Sequence, residues 1–412
     1  MNDNSKKDVI VNENDDDDDA LVLTEEVAED SDNIKNINED SKQNKESDEE
    51  LAAKDQHQPG SFIKNIFGKN SSEKDNYTEK KPQEIIPRSK FYSLNQEQKQ
   101  ALGSPLAIVG TGTLGSLFAG LFLRSEQNVV CFSSPNSIKR IALEGITINS
   151  KIYDDFSFRP DTAYLIKQKP EFILVTARST HIDIAMTAIY PKRVQNTPII
   201  VITSGFDFLK NLQKDYGASV SIGFVEPVWA YREDVNRTIH LDKKLTLTVA
   251  NSKTIEREKL EKLIDRFKLA GIDLKIMDSE TDLLWLKNIS FAAISLISGA
   301  AKEAFKTAIK DKRWFELMEK IIWEALVVAK KDGSKATYDD IMKIINDVPN
   351  DYKPPLLIDL EHGQIGEIDD IANSIIRLGQ RYELDCPIIK KFVSGIIKNA
   401  SRYYEVRVSP YL

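Results

Sequence analysis

The sequence predicts an α/β domain with a doubly wound parallel sheet, an all-helical domain after it and a disordered acidic tail before it. Three observations support this prediction. A glycine-rich loop joins an apolar run to a helical pattern, short apolar runs alternate with helices in the middle of the chain, and the last third has helical periodicity. The boundaries fall at residues 1–100 for the tail and its linker, 101–277 for the α/β domain and 278–412 for the helical domain.

The N-terminal segment is strongly acidic. Residues 1–55 hold 20 acidic and 6 basic side chains and no aromatic residue. Such a segment buries too little apolar surface to offset its ordering entropy, so we expect it to be disordered. The other residues hold 44 acidic and 50 basic side chains, a balance that suits an anionic cofactor and substrate but is too weak to indicate nucleic acid binding. The tail is either a solubilising segment or the binding site of a protein partner.

A glycine-rich loop follows the first apolar run of the α/β domain. Ala107–Val109 predicts a buried strand and Thr113–Arg124 predicts a helix, so the loop lies where a Rossmann-type fold binds a dinucleotide. Gly110 permits the tight turn, Gly112 leaves room for a pyrophosphate, and Gly115 lets the helix approach the strand. A purely structural turn is the alternative. The predicted cofactor contacts in the loop are Gly110, Thr111, Gly112, Thr113, Leu114 and Gly115.

Strands and helices alternate beyond this loop. The apolar runs that predict buried strands are 128–132, 171–176 and 199–203, with a helix over 179–188. The runs that predict a more exposed antiparallel extension are 219–225, 238–241 and 245–250. A helix over 255–270 and a strand over 274–277 complete the domain. The helices predicted for the second domain are 282–301, 314–331, 337–345, 365–382 and 387–403, with prolines between them.

The apolar helix predicted over 282–301 has a lysine, Lys287, in its middle. Lys287, Phe291 and Ser295 are spaced four residues apart and therefore share one helix face. The lysine either extends to the surface or remains in a cleft, where a desolvated ammonium can protonate or polarise a carbonyl oxygen. Both interpretations are open on spacing alone.

Several short motifs resemble the ketopantoate reductase family (2-dehydropantoate 2-reductases). The resemblance covers roughly residues 105–405. After the glycine loop, its motifs are Trp229-Ala-Tyr-Arg232 leading to Ile239-His240, Trp285-x-Lys287, Pro355-Leu-Leu-Ile-Asp359, and Gly366-Glu367-Ile-Asp369.

The resemblance implies a reaction in which NADPH delivers hydride to the carbonyl carbon of a 2-oxo acid. By resemblance, Lys287 is the general acid and Glu367 binds the substrate hydroxyl group. The first candidate reaction is reduction of 2-dehydropantoate to pantoate, in the pantothenate pathway. The residues alone favour another interpretation of Glu367, an ordinary carboxylate at a helix N-terminus.

The chain departs from the family pattern on the substrate side. The family places asparagines where this chain has Phe291 and Ser295, His-Asn-Gly where it has Thr203-Ser204-Gly205, and a serine at Pro355. Ser204, Phe291 and Ser295 are therefore the predicted substrate-side residues, and Asn288 cannot substitute because one helical step rotates it about 100° off the lysine face. Either the substrate differs, or catalysis has been lost and the fold is a cofactor-binding scaffold or regulatory protein.

The end of the second strand favours NADP(H) over NAD. It has Ser133 and Ser134 and no carboxylate for the ribose hydroxyls, and Lys139 and Arg140 follow on the next helix. Those two cations suit a 2′-phosphate, with a solvated helix face as the alternative. Arg178 stands where the resemblance places a lysine near the cofactor phosphates.

The remaining composition excludes several classes of protein. The two cysteines and four scattered histidines show no metal-ligand spacing. The two cysteines, far apart in sequence, indicate a reducing compartment. No run reaches the length of a membrane span and no secretory or mitochondrial leader is evident, so we expect a cytoplasmic protein without membrane contact. The expected partner is a small 2-oxo acid, and a homodimer is left open.

Overall fold

A computed structural model describes residues 91–217, 220–250 and 255–408 of the chain. The predicted disorder of residues 1–90 lies outside the described residues. The strands, in chain order, are β1 Phe91–Tyr92, β2 Leu106–Val109, β3 Val129–Phe132, β4 Ile146–Ser150, β5 Phe156–Phe158, β6 Asp161–Ala163, β7 Ile173–Val175, β8 Ile199–Val201, β9 Val220–Val225, β10 Ala230–Asp234, β11 Arg237–His240, β12 Thr246–Ala250 and β13 Asp273–Met277.

The α-helices are α1 Gln96–Leu102, α2 Thr113–Arg124, α3 Pro135–Glu144, α4 Ile182–Met186, α5 Asp207–Tyr216, α6 Arg257–Leu269, α7 Glu280–Ala301, α8 Phe305–Ala308, α9 Lys312–Lys331, α10 Tyr338–Asn346, α11 Pro355–Glu361, α12 Ser374–Arg381 and α13 Pro387–Val408.

The main sheet has eight strands in the order β13-β12-β9-β8-β7-β2-β3-β6. The six strands from β9 to β6 run parallel, with Ile108 of β2 opposite Cys131 on one side and Leu174 on the other. Helices α2 and α6 pack on one face, and α4 and α5 pack on the other. The predicted doubly wound α/β fold is confirmed, and the strand order reverses at β2, where such folds bind ligands.

A second sheet of five strands, in the order β1-β5-β4-β11-β10, was not predicted. It joins the antiparallel pair β4–β5 to the hairpin β10–β11 through parallel pairing of β4 with β11. Its strands are short and come from distant parts of the chain, so local periodicity does not reveal their pairing.

The predicted exposed extension is partly wrong. All six residues of β9 are buried, and β9 runs parallel to β8 rather than antiparallel. Strand β12 is antiparallel to β9 as expected but is also largely buried, because β13 covers its other edge. Only β11 of the three predicted runs belongs to the second sheet.

The predicted tail and linker extend too far. Phe91 and Tyr92 pair with Ser157 and Phe158 of β5, and the Arg159 guanidinium lies 4.7 Å from the centre of the Phe91 ring. Helix α1 follows, with a capping box between Asn95 and Gln98. Residues 91–100 are therefore part of the folded structure.

The C-terminal part is helical, as predicted. Its central helix α7 is contacted by α8 to α11 and by α13. This helix is long and apolar enough to cross a membrane, contrary to the sequence expectation, but 83% of its apolar window is buried inside the protein. Its composition is therefore that of a core helix surrounded by other helices.

Two helices differ from their predicted form. Residues 179–188 form a 3₁₀ turn, Ser179–His181, followed by α4, and residues 365–382 become a π-helical turn, Asp369–Asn373, followed by α12. Helix α11 was missed because its prolines were interpreted as breaks. Pro355 occupies the first helical position, where the absent N–H has no intrahelical partner in any case.

Candidate active site

A cavity of about 690 Å³ lies between the carboxyl ends of β2, β7 and β8 and the helices α7 and α11. Residues that follow β9, including Val228 and Trp229, form a further wall. Its volume fits a small ligand together with part of a cofactor. The cavity therefore brings the predicted nucleotide loop and the predicted lysine helix to one site.

The glycine loop has three glycines in three different environments. Gly110 has φ of 98°, and a Cβ there would come within 2.8 Å of Ala177 N. A Cβ at Gly115 would collide with the Gly110 carbonyl oxygen and lie 2.5 Å from Thr176 Oγ1. A Cβ at Gly112 would meet nothing within 4 Å, and this residue lines the cavity. Packing within the protein requires Gly110 and Gly115, whereas the space beside Gly112 is open for a ligand.

The N-terminus of α2 is suited to an anion. Gly112 is its N-cap residue, and no side chain of the described residues caps the first turn. The neighbouring Thr111 is engaged elsewhere, since its Oγ1 donates to Ser133 Oγ at 2.8 Å. The N–H groups of Thr113, Leu114 and Gly115 thus remain for a phosphate at the positive end of the helix dipole.

The end of β3 is organised by side-chain contacts. Ser134 caps α3, where its Oγ accepts a hydrogen bond from Ser137 N at 3.3 Å, and it does not line the cavity. Arg140 on the same helix donates to the two carboxylate oxygens of Asp234 at 3.0 and 3.2 Å. Arg140 is thus held in an ion pair with the second sheet, a contact that neither the phosphate-ligand nor the solvated-face interpretation included. Asp234, on the second sheet, was too distant in sequence to be foreseen.

Lys287 is buried at the base of the cavity, with only 2% of its surface exposed. Its Nζ donates to the carbonyl oxygens of Thr203, after β8, and Gly223, in β9. Burial lowers the pKa of Lys287 to about 7, and the negative charge of Glu367 partly opposes this shift. The interpretation of Lys287 as a surface lysine is wrong, because β9 and the loop after β8 cover that face of α7.

Neighbouring residues of α7 fix the helix in this position. The indole Nε1 of Trp285 donates to Asp332 Oδ2 at 2.8 Å. Asn288 Oδ1 accepts from Gly205 N at 2.9 Å and its Nδ2 donates to Leu284 O, so this amide holds the loop after β8. Asn288 does not line the cavity, as the helical geometry predicted.

Glu367 also lines the cavity, but one of its oxygens is already engaged. Glu367 Oε1 accepts hydrogen bonds from the N and Oγ of Ser179, both at 2.6 Å. Ser179 begins the 3₁₀ turn after β7, so Glu367 caps a turn of the α/β region from the helical region.

Arg178 makes a second contact of the same kind. Its Nη1 donates to Asp359 Oδ1 and Oδ2 at 2.8 and 2.6 Å, and Asp359 on α11 is buried. Arg178 itself is half exposed at the cavity edge. Sequence reasoning missed Ser179 and the role of Asp359, although Asp359 belongs to one of the motifs that carry the resemblance.

The predicted substrate-side residues all line the cavity. Phe291 packs edge-on against Phe224 with ring centres 5.9 Å apart, and Ser204 follows the carbonyl that accepts from Lys287. The hydroxyl oxygens of Ser295 and Thr203 are buried and have no hydrogen-bond partner among the described residues. The structure thus brings Ser204, Phe291, Ser295, Lys287 and Glu367 around one space.

Comparisons with known proteins find matches to both the α/β region and the helical region. The model of the ketopantoate reductase PanE/ApbA family matches residues 106–253, and the model of its C-terminal domain matches residues 281–399. A 2-dehydropantoate 2-reductase of Pyrococcus abyssi is 22% identical over 298 residues, which cover 71% of this chain and 96% of that protein.

Solved structures share the fold. A PanE/ApbA family ketopantoate reductase from Ralstonia eutropha has a TM-score of 0.64 at 19% identity, covering 72% of this chain and 99% of its own. D-mandelate dehydrogenase, in its ternary structure with NADH and anilino(oxo)acetate, has a TM-score of 0.66 at 14% identity over the same shares. With family models that match both the α/β and the helical regions, this chain belongs to the ketopantoate reductase family.

Proposed function

We propose that the protein reduces a 2-oxo acid with NADPH and that Lys287 is its general acid. The observation that supports this most directly is the burial of a lysine amine at the base of a ligand-sized cavity. A buried amine without an ion pair costs stability, and such a cost is typical of functional sites. Its lowered pKa, about 7, gives an acid matched to neutral pH.

The geometry of the amine suits protonation of a carbonyl oxygen. An ammonium has three donors, and Lys287 uses two on the carbonyls of Thr203 and Gly223. The third is left for the substrate oxygen, whose negative charge grows as hydride arrives at the adjacent carbon. When bound, NADPH supplies that hydride. Lys287 stabilises the charge and donates the proton, and Glu367 adds a negative charge that favours the protonated amine.

The cofactor site in this proposal is the glycine loop with its helix. Gly112 and the first-turn N–H groups of α2 would hold the pyrophosphate, and Gly110, Thr111 and Gly115 shape the turn. Arg178 stays a phosphate contact because its ion pair with Asp359 uses Nη1 only. The serines after β3, including Ser134, and the lack of a carboxylate in that run favour NADPH over NADH.

The substrate class follows from the family and from the relatives' names, a ketopantoate reductase and a D-mandelate dehydrogenase bound to anilino(oxo)acetate. Ketopantoate (2-dehydropantoate) is the first substrate to test. Ser204, Phe291 and Ser295 are proposed to shape the space beside the reacting carbonyl. A cytoplasmic location is part of the proposal, since both cysteines of the chain, Cys131 and Cys386, are free and buried.

The alternative is a reductase fold that has lost catalytic activity and serves as a cofactor-binding scaffold. Its support is the set of changed positions at Ser204, Phe291, Ser295 and Pro355, all on the substrate side. Replacing both Phe291 and Ser295 by asparagine distinguishes the active reductase from the scaffold. If the protein is an enzyme with a different substrate, the double variant should have lower activity on that substrate. If it is a scaffold, there is no activity to lower.

Cofactor titration followed by a turnover assay tests the proposal. The purified protein should bind NADPH more tightly than NADH, measured by nucleotide fluorescence. It should then oxidise NADPH with at least one member of a panel of 2-oxo acids. NADPH binding without turnover across the panel supports the scaffold, and absence of binding overturns both functions.

A further inference from the structure

Strand β10 of the second sheet brings an arginine, Arg232, to the lining of the cavity. This strand contacts α2, and its Ala230 packs in the same apolar cluster as Leu114 in the first turn of that helix. Ala230 and Arg232 are two residues apart in a strand, so their side chains point to the same side. Arg232 therefore lies on the side of β10 that faces α2, beside the proposed pyrophosphate site.

The acidic residues next to Arg232 are paired with other arginines. The two carboxylate oxygens of Asp234 accept hydrogen bonds from Arg140, and Glu233 Oε2 lies 3.5 Å from Arg237 Nη1. Among the described residues, no carboxylate lies within ion-pair distance of Arg232. The charge of this arginine is therefore not held in an ion pair by its own hairpin.

The guanidinium of Arg232 is half-buried and has unused donors. Its Nε donates to Asp234 O at 3.2 Å and its Nη2 donates to Val235 O at 2.7 Å, whereas no atom of the described residues accepts from Nη1. Burial lowers the pKa of Arg232, the charge of Asp234 opposes this shift, and the charge of Arg140 adds to it. A guanidinium has five N–H donors and can hold a phosphate through two parallel hydrogen bonds, so the remaining donors suit that ligand.

We propose that Arg232 is a phosphate ligand of the dinucleotide cofactor. The inference rests on the proposed function, because it adds a residue to the same cofactor site. The guanidinium adds a positive charge to the N–H groups that α2 offers to the phosphates. The carboxylate of a 2-oxo acid suits this position less well. It must lie beside Lys287, which contacts β9 and the loop after β8 rather than β10.

Arg232→Gln tests the proposal, because it removes the charge and keeps a polar side chain. Loss of a hydrogen bond between charged groups should weaken NADPH binding to the full-length protein by about 10- to 100-fold, measured by nucleotide fluorescence. Arg237→Gln on the neighbouring strand β11 is the matched control, since Arg237 lies outside the cavity lining, and it should bind NADPH normally. Unchanged NADPH affinity in Arg232→Gln overturns the proposal.

The same titrations with NADH identify the phosphate. An equal loss of affinity for both nucleotides supports a contact with the diphosphate that they share. A loss for NADPH alone supports a contact with the 2′-phosphate. If Arg232→Gln binds both nucleotides normally but has a raised KM for the 2-oxo acid, Arg232 contacts the substrate carboxylate and the proposal is overturned.

The salt dependence of binding separates a phosphate contact from a structural role in the hairpin. Salt screens the attraction between a guanidinium and a phosphate. The NADPH affinity of the unchanged protein should therefore fall more steeply with ionic strength than that of Arg232→Gln. A variant with lower Tm, weaker binding and the salt dependence of the unchanged protein has lost only the hairpin contacts, which overturns the proposal.

None of these binding measurements requires turnover. If the protein binds NADPH but reduces no 2-oxo acid, the proposed reaction fails, whereas the role of Arg232 is still decided by the affinities. If Arg232→Gln binds NADPH like the unchanged protein, only the role of Arg232 fails. If the unchanged protein binds neither nucleotide, both proposals are overturned.

Discussion

The two ends of the cavity are built in different ways. The proposed nucleotide end consists of backbone from one short segment, with Gly110, Gly112 and the first turn of α2 within a few residues of one another. The lysine end is assembled from distant parts of the chain, where Lys287 meets the carbonyls of Thr203 and Gly223 and the charge of Glu367. The nucleotide end thus depends on local geometry and the lysine end on tertiary packing.

This difference predicts how each end should tolerate sequence change. A phosphate site made of N–H groups and open space has few side chains to replace, so it keeps a recognisable pattern. The lysine end is lined by side chains such as Phe291 and Ser204, which can differ in chemistry from one protein to another. The resemblance predicts departures from the family pattern at Ser204, Phe291 and Ser295, which all lie at the lysine end.

Removing the amine should have the largest effect. Lys287→Ala is expected to lower kcat by about 100- to 10,000-fold, because general acid catalysis is lost, while NADPH affinity stays nearly unchanged. Steady-state kinetics and nucleotide titration of the same preparation measure both quantities. Lys320→Ala, at an exposed lysine of α9, is the control and should retain activity. Unchanged turnover in Lys287→Ala would remove this residue from the mechanism.

Substitutions of two glycines in the same loop should affect different properties, nucleotide affinity at Gly112 and stability at Gly115. Gly112→Val fills the open space beside the helix N-terminus, so NADPH affinity should fall about 100-fold or more with little change in Tm. Gly115→Val forces a side chain against the Gly110 carbonyl and should cost about 1–3 kcal/mol of stability or more. Thermal unfolding and nucleotide titration of both variants measure the stability and the NADPH affinity. A Gly112→Val protein that folds and still binds NADPH normally would place the nucleotide elsewhere.

The pH dependence should locate the acid at the lysine end. Because burial lowers the pKa of Lys287 to about 7, the amine is protonated below that pH and loses its proton as the pH rises. The kcat/KM for the oxo acid should therefore be flat at lower pH and fall about tenfold per unit above 7. NADPH affinity, which depends on N–H groups, should change much less over this range. A rate that stays constant up to pH 9 would contradict the assignment.

The smallest effect is expected from shortening the N-terminus. The composition of residues 1–90 predicts that their deletion leaves NADPH affinity and Tm unchanged. Deleting residues 1–95 also removes Phe91, which is buried against Gly145 and Arg159, and should lower Tm by several degrees. A large loss of Tm in the shorter deletion would show that the acidic tail stabilises the folded part.

The sequence determined the parts of the molecule that depend on neighbouring residues. The strand–glycine loop–helix unit at β2 and α2 was predicted correctly, and so were the parallel strands β3, β7 and β8 and the long helix α7, because apolar periodicity and glycine spacing are local properties. The shared face of Lys287, Phe291 and Ser295 followed from helical geometry in the same way.

Only the tertiary structure decided whether Lys287 is exposed or buried. That outcome depends on β9 and the loop after β8, which the chain brings against α7 from more than 60 residues away. The same holds for the five-stranded sheet, the pairing of Arg140 with Asp234, and the contacts of Arg178 and Ser179 with Asp359 and Glu367. Each is a contact between distant segments, and desolvation and pairing of charges are set by such contacts rather than by local sequence.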